Sequence, residues 1–215
     1  MSASIVFGGA SECPMKNMKL IARCFGLASL LFAVALLGGC AGPTAKASKY
    51  MALAVNVPTA PPAGKALVCI HRPRSYWGQK FYTGVWDGNH FIADLGNGHS
   101  VAYVCQPGRH CFLNLSIEAE GCVEADLLPD QTYDLWTDTV LATALVSFKI
   151  KPLHQDEATR QLVAKWTRKH RWVEPAPPSA DYELSKQEVV RGLLEDFTSG
   201  KRQNKLQHLA SEDHR

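Results

Sequence analysis

The chain has 215 residues, a formal net charge of +3 and 46% apolar side chains. That length suits one domain with tails. With its basic start set aside the chain is near neutral and has no basic block, which excludes an electrostatic footprint for nucleic acid.

In chain order, Lys16, Lys19 and Arg23 form a short basic region, and no residue from Cys24 to Gly39 carries a charge. A basic region, an apolar run and small residues at its end are the grammar of a secretory signal. The run falls short of the roughly 20 apolar residues of a membrane span. Residues Met1 to Pro14 lie outside this grammar, so Met15 or Met18 is an alternative start. The run ends in Leu37-Gly38-Gly39-Cys40, which resembles a bacterial lipobox. By that resemblance residues 1–39 are removed, the Cys40 thiol carries diacylglycerol, and the new amine is acylated. Each buried methylene is worth roughly 0.8 kcal/mol, so two or three acyl chains anchor stably where one does not. Ala41 in place of Asp implies, by the same resemblance, the outer membrane facing the periplasm.

Without residues 1–39 the chain carries 20 basic and 19 acidic side chains, and four cysteines remain besides Cys40: Cys69, Cys105, Cys111 and Cys122. An even set in an exported domain reads as two disulfides.

Residues 40–64 are rich in Ala, Pro, Gly and Thr apart from one short apolar patch, and read as a flexible tether. Residues 65–172 read as short strands, "ALVCIHR", "KFYTGVWDG", "NHFIADL", "HSVAYVC", "RHCFLNLSIEA", "CVEADLL", "TYDLWTD" and "LVSFKIKPL". Turn residues separate them at about 8–12-residue spacing, which predicts an antiparallel, Ig-like β-sandwich. Val101, Tyr103 and Cys105 share one strand face, and so do Cys111, Leu113, Leu115 and Ile117. A hairpin that sets Cys105 opposite Cys111 buries one consistent face. The expected pairs are therefore Cys105–Cys111 and, by elimination, Cys69–Cys122. Cys122 itself alternates with Glu124 and Asp126 on a polar face.

Leu162, Val163 and Trp166 then recur at helical spacing, with acidic residues before and basic residues after, as a helix dipole favours. Residues 173–180 read as a Pro-rich linker and residues 181–200 as an amphipathic helix. Its start is a capping box from Ser185 to Glu188, and its end is Gly200. Its stripe of Val189, Val190, Leu193, Leu194 and Phe197 either packs back on the sandwich or docks a partner. Polar residues 201–215 read as a disordered tail.

Several motifs together resemble the bacterial domain of unknown function 2846 family. They are Ile70-His71-Arg72-Pro73, Val85-Trp86-Asp87-Gly88, Leu95-Gly96-Asn97-Gly98, Pro107-Gly108-Arg109-His110 and Gln131-Thr132-Tyr133. The resemblance spans roughly residues 65–170. It implies small envelope lipoproteins with a transthyretin-like or peptidase-regulatory-like sandwich, and supplies no activity and no catalytic residue. The four cysteines lie outside its pattern.

Chemical alternatives are few. His99, Cys105, His110 and Cys111 could be drawn as a zinc set, but adjacent strand residues point to opposite faces. A Cys–His nucleophile would need a free, activated thiolate, against which export works. Trp77, Trp86, Trp136, Trp166 and Trp172, with Tyr76, Tyr82 and Tyr103, either line a glycan or peptide groove or pack the core. The expectation is a membrane-tethered, non-enzymatic envelope lipoprotein without cofactor, metal or small-molecule substrate. It meets the membrane through acyl chains and meets an envelope protein or the cell wall through its sandwich. The alternative is an exported enzyme or metal-binding protein that uses the His/Cys cluster at 99–111.

Overall fold

The structure, a computed structural model, describes residues 45–116, 121–141 and 146–215. Cys40, the expected site of lipidation, lies outside them. The strands are β1 (Met51–Leu53), β2 (Ala66–Arg72), β3 (Thr83–Asp87), β4 (His90–Leu95), β5 (His99–Cys105), β6 (Gly108–Leu115), β7 (Gly121–Leu127), β8 (Thr132–Leu141), β9 (Val146–Pro152), β10 (Arg171–Pro175) and β11 (Leu206–Leu209). Two helices join them, α1 (Glu157–Lys169) and α2 (Ser179–Thr198).

The strands form two sheets, β1-β10-β5-β2-β8-β9 and β11-β7-β6-β3-β4, which pack as the expected sandwich. Pairing is mixed rather than purely antiparallel, because β10–β5, β2–β8 and β11–β7 run parallel. The inner faces carry Val68, Ile70, Val85, Val101, Phe112, Tyr133 and Leu135, all buried in one core. Asn114 on β6 ties the sheets together at one side. Its Oδ1 accepts from the Gly121 and Ile150 amides and its Nδ2 donates to the Phe148 carbonyl.

A helix covers the outer face of each sheet. α1 opens on Asp156, whose carboxylate accepts from the Thr159 amide. It packs Val163 and Trp166 against Leu153 and Trp136 on the first sheet. α2 seats Tyr182 against Trp86 and Phe91 and buries Val190, Leu193 and Phe197. Its stripe therefore packs back on the sandwich, with Val189 left exposed. The helix begins at Ser179 on a Pro178 N-cap, so Ser185 is an interior residue that donates to the Tyr182 carbonyl, not a cap. From that start Tyr182 falls in the first turn of the helix and reaches the sheet.

Four other expectations are corrected. Residues 40–64 are not a tether throughout: Ala45 donates to the Asn97 carbonyl, and β1 pairs with β10. The apolar patch is the reason, since Met51 enters the core. The 173–180 linker begins as strand β10, with Val173 buried. The 201–215 tail is ordered: β11 pairs with β7, and Leu209 and Asp213 are buried. It covers a sheet edge that would otherwise present unpaired backbone groups. Finally, β5 and β6 are not a hairpin. β5 pairs along its length with β2, whereas β6 lies between β3 and β7. The Gln106-Pro107-Gly108 turn carries the chain from one sheet to the other, and Tyr103 meets Phe112 across the core. Strand β6 is covered on both faces, so its alternation does not mark a single inner face.

Arg72 holds one end of this sandwich. Its guanidinium is buried, donates from Nη1 to the Phe81 and Leu95 carbonyls and from Nη2 to the Gly78 carbonyl, and lies 4.1 Å from the Phe148 ring centre. Burial lowers its pKa to about 10, opposed by nearby Asp94. Removing the donor that serves buried carbonyls costs about 1–3 kcal/mol for each group left unsatisfied. Urea unfolding of Arg72→Met is expected to show a loss in that range. Arg72→Lys should recover little, because one ammonium cannot serve three carbonyls in a planar fork.

Candidate functional site

The predicted His/Cys cluster does not assemble as one set: Cys105 and His110 line a common surface pocket, and His99 stands apart from it. His99 is buried, with Nε2 donating to the Ala45 carbonyl at 2.9 Å and Nδ1 accepting from the Gly96 amide. Both nitrogens of the ring are thus in use, and burial pulls its pKa below the usual histidine value. His110 lies elsewhere, between Asp87 Oδ2 at 2.7 Å and the Gln106 carbonyl at 2.8 Å. Both partners are acceptors, so the ring that satisfies them carries a proton on each nitrogen. The Asp87 hydrogen bond accordingly raises its pKa. Tyr103 also donates to that carboxylate at 3.1 Å.

The cysteines pair otherwise than expected. Cys111 is bonded to Cys122, with Cα atoms 6.3 Å apart, while Cys69 and Cys105 are free and buried. The register explains it. Cys111 stands opposite Glu124 and Leu113 opposite Cys122, so the two cysteines are diagonal neighbours on the outer face of one sheet. Cys105 belongs to the other sheet, and Cys69 faces outward from it beneath the C-terminal segment. Burial raises both free thiols to about 12, far from a reactive thiolate.

Sequence reading missed a buried polar chain under α1. Asp134 Oδ1 lies 3.2 Å from His71 Nε2, His71 Nδ1 lies 2.8 Å from Ser100 Oγ, and Ser100 Oγ lies 2.9 Å from His170 Nδ1. Arg215 Nε adds an ion pair to Asp134 Oδ2 at 2.9 Å. One proton per link gives a definite polarity: His170 donates to Ser100, Ser100 to His71, and His71 to Asp134. The Asp–His–Ser order is that of a nucleophilic relay, but the geometry closes it. Ser100 is 0% exposed, and His170 occupies the side of Oγ that a substrate carbonyl would need. Trp166 and Trp172 ring contacts flank His71. As arranged, the chain fastens α1 to the sheet. These residues come from β2, β5, β8 and the end of α1, so no local motif announces them. In the sequence His71 reads only as a member of the strand "ALVCIHR".

The second feature is an open cleft of about 330 Å³ between β3, β9 and α2, near the lower end of the range for ligand pockets. Phe81, Tyr82, Phe148 and Tyr182 give it aromatic walls, and Asp94, Ser116 and Lys186 give it polar groups. Gly84 lies in its lining, where a Cβ would come within 3.3 Å of Trp86 Nε1 and 3.5 Å of the Tyr182 hydroxyl. Trp86 Nε1 is buried without a hydrogen-bond partner among the described residues. Burial raises the Asp94 pKa, opposed by Ser48 and Arg72. Aromatic faces with both donors and acceptors suit a small polar ligand. Of the eight aromatic residues weighed for a groove, Tyr82 alone reaches this cleft, and Trp86 stands just behind it.

No protein-family model, curated protein or solved structure matches the chain.

Two measurements check these assignments. Among the four cysteines of the domain, denatured and unreduced protein is expected to titrate two thiols, with peptide mapping joining Cys111 to Cys122. The buried His170 has its pKa lowered to about 3, chiefly by desolvation. The unfolded chain binds that proton near pH 6.5 and the folded chain does not, so stability falls as pH drops below about 6.5. Urea midpoints between about pH 7 and 5 should fall less steeply in His170→Asn than in the parent.

Proposed function

We propose that the chain is a bacterial envelope lipoprotein whose β-sandwich is a non-catalytic binding or structural module. The observation that carries this reading is Leu37-Gly38-Gly39-Cys40 at the end of an uncharged run behind Lys16, Lys19 and Arg23. The Cys111–Cys122 disulfide supports it, since disulfides persist in oxidising, exported compartments. The sealed Ser100 relay and the raised thiols argue against nucleophilic catalysis at those groups. The partner in this reading is an envelope protein or cell-wall polymer, and the Gly84–Tyr182 cleft is the place where a small polar portion of it would enter. Placement with the domain of unknown function 2846 lipoproteins is part of the same proposal and rests on the motifs quoted above. Metabolic labelling with a fatty acid, followed by fractionation, tests the anchor. The parent should take up label and sediment with membranes, whereas Cys40→Ala should lose both; a variant that labels and fractionates like the parent removes the reading.

A further inference from the structure

The loop between β2 and β3, residues 73–82, carries an exposed aromatic group. Tyr76 is 61% exposed, Trp77 57%, Phe81 42% and Tyr82 37%. Tyr76 and Trp77 rings meet edge to face at 5.6 Å. Soluble surfaces rarely gather four large aromatic side chains on one short loop without use. The loop is also rigidly based, since Arg72 holds the Gly78 and Phe81 carbonyls from beneath. A Cβ at Gly78 would strike Val146 and Phe148, so the turn sits directly on β9.

Its position relative to the lipobox cysteine is the second observation. Ala45 and Tyr82 converge on Gly96, where an added Cβ would lie within 3.0 Å of both. Tyr82 donates to the Lys46 carbonyl at 3.1 Å. Asn97 accepts from Ala45 through its backbone carbonyl and from Ser75 through its side chain. The aromatic loop and the entry point of the chain are therefore one surface. Residues 41–44 alone separate Ala45 from Cys40. Whatever their conformation, that length of chain reaches at most about 18 Å.

The third observation is charge. Arg74 and Lys80 are exposed on the loop itself, and Lys46 is exposed beside Tyr82. Arg74 reaches the Lys169 carbonyl, and both Lys169 and Arg171 are exposed there. Aromatic side chains with an apolar body and a polar tip, ringed by basic residues, are the composition that settles at a bilayer interface. Each Lys or Arg near an anionic leaflet adds about 1 kcal/mol.

We infer that the 73–82 loop is a membrane-docking surface, which seats Tyr76, Trp77, Phe81 and Tyr82 in the headgroup region of an anionic bilayer beside the acylated Cys40. The inference rests on the lipoprotein reading and deepens it: the anchor does not let the sandwich swing freely but holds one face down. The Gly84–Tyr182 cleft shares Phe81 and Tyr82 with this surface, so its mouth opens next to the membrane.

The test uses the full-length lipidated protein reconstituted in phosphatidylethanolamine–phosphatidylglycerol vesicles whose acyl chains carry bromine near the headgroup. Parent tryptophan emission is expected to be quenched, and the quenched component should fall at least twofold in Trp77→Phe. Arg74→Glu combined with Lys80→Glu should reduce quenching on these vesicles and change it little on vesicles of neutral lipid. Acyl-labelled protein whose quenching is absent, or equal in parent and Trp77→Phe, overturns the docking surface and leaves the anchor standing. Sedimentation of that unquenched protein with purified peptidoglycan would assign the loop to the cell wall instead. Absence of acyl label overturns both readings.

Discussion

A positive charge sealed inside a β-sandwich organises this molecule. Arg72 ends β2, and its guanidinium donates from Nη1 and Nη2 to three carbonyls from the 73–82 loop and the end of β4 while its face rests on Phe148 of β9. A buried charge without partners is costly, so the loop and both sheets must adopt the positions that supply them. From that constraint follow the fixed base of the aromatic loop, the wall of the cleft formed by Phe81 and Phe148, and the placement of Asp94 close enough to oppose the loss of the Arg72 charge.

The second constraint is that both sheets are buried on both faces. α1 covers one and α2 the other, and the N-terminal and C-terminal segments add β1 and β11. Polar residues on a face covered in this way must bond to one another. The Asp134–His71–Ser100–His170 chain does so, with its donors and acceptors matched link by link. Its resemblance to a catalytic relay is a matter of residue order. A relay needs a hydroxyl that substrate can approach, and here Ser100 is fully buried with a second imidazole on its Oγ. Burial also accounts for the raised thiols, Cys105 on the inner face of the first sheet and Cys69 on its outer face.

The functional proposals share one surface. Ala45, Tyr82 and Asn97 join the start of the described domain to the aromatic loop, and Phe81 and Tyr82 join that loop to the cleft. A chain anchored at Cys40 would therefore present its aromatic and basic side chains, and the opening beside them, to the bilayer. Ligand capture would then take place close to the leaflet and not at the end of a long tether.

The sequence by itself determined the class of fold and most strand positions. Turn pairs such as Asp87-Gly88 and Gly96-Asn97-Gly98 impose local backbone geometry, and β-branched runs between them have few other conformations. Gly200 likewise ends α2 where expected, with φ +80°. The proposed lipid anchor rests on the sequence alone, because the Leu37-Gly38-Gly39-Cys40 signal is read linearly. The sheet to which each strand belongs was decided only by tertiary structure. Alternation reports whether a face is covered, not by what, and a strand covered on both faces loses the signal. That is why alternation alone pairs β6 with β5, whereas in the fold β6 lies between β3 and β7 and Cys111 is bonded to Cys122. The short apolar patch before Lys65 and the polar tail after Lys201 became strands for a related reason: an edge strand is stabilised by the backbone groups of its neighbour, which its own residues do not encode. The buried chain from Asp134 to His170 belongs to the same category. Each of its members is an ordinary polar residue in sequence, and only the packing of α1 on β2, β5 and β8 brings them within hydrogen-bond distance.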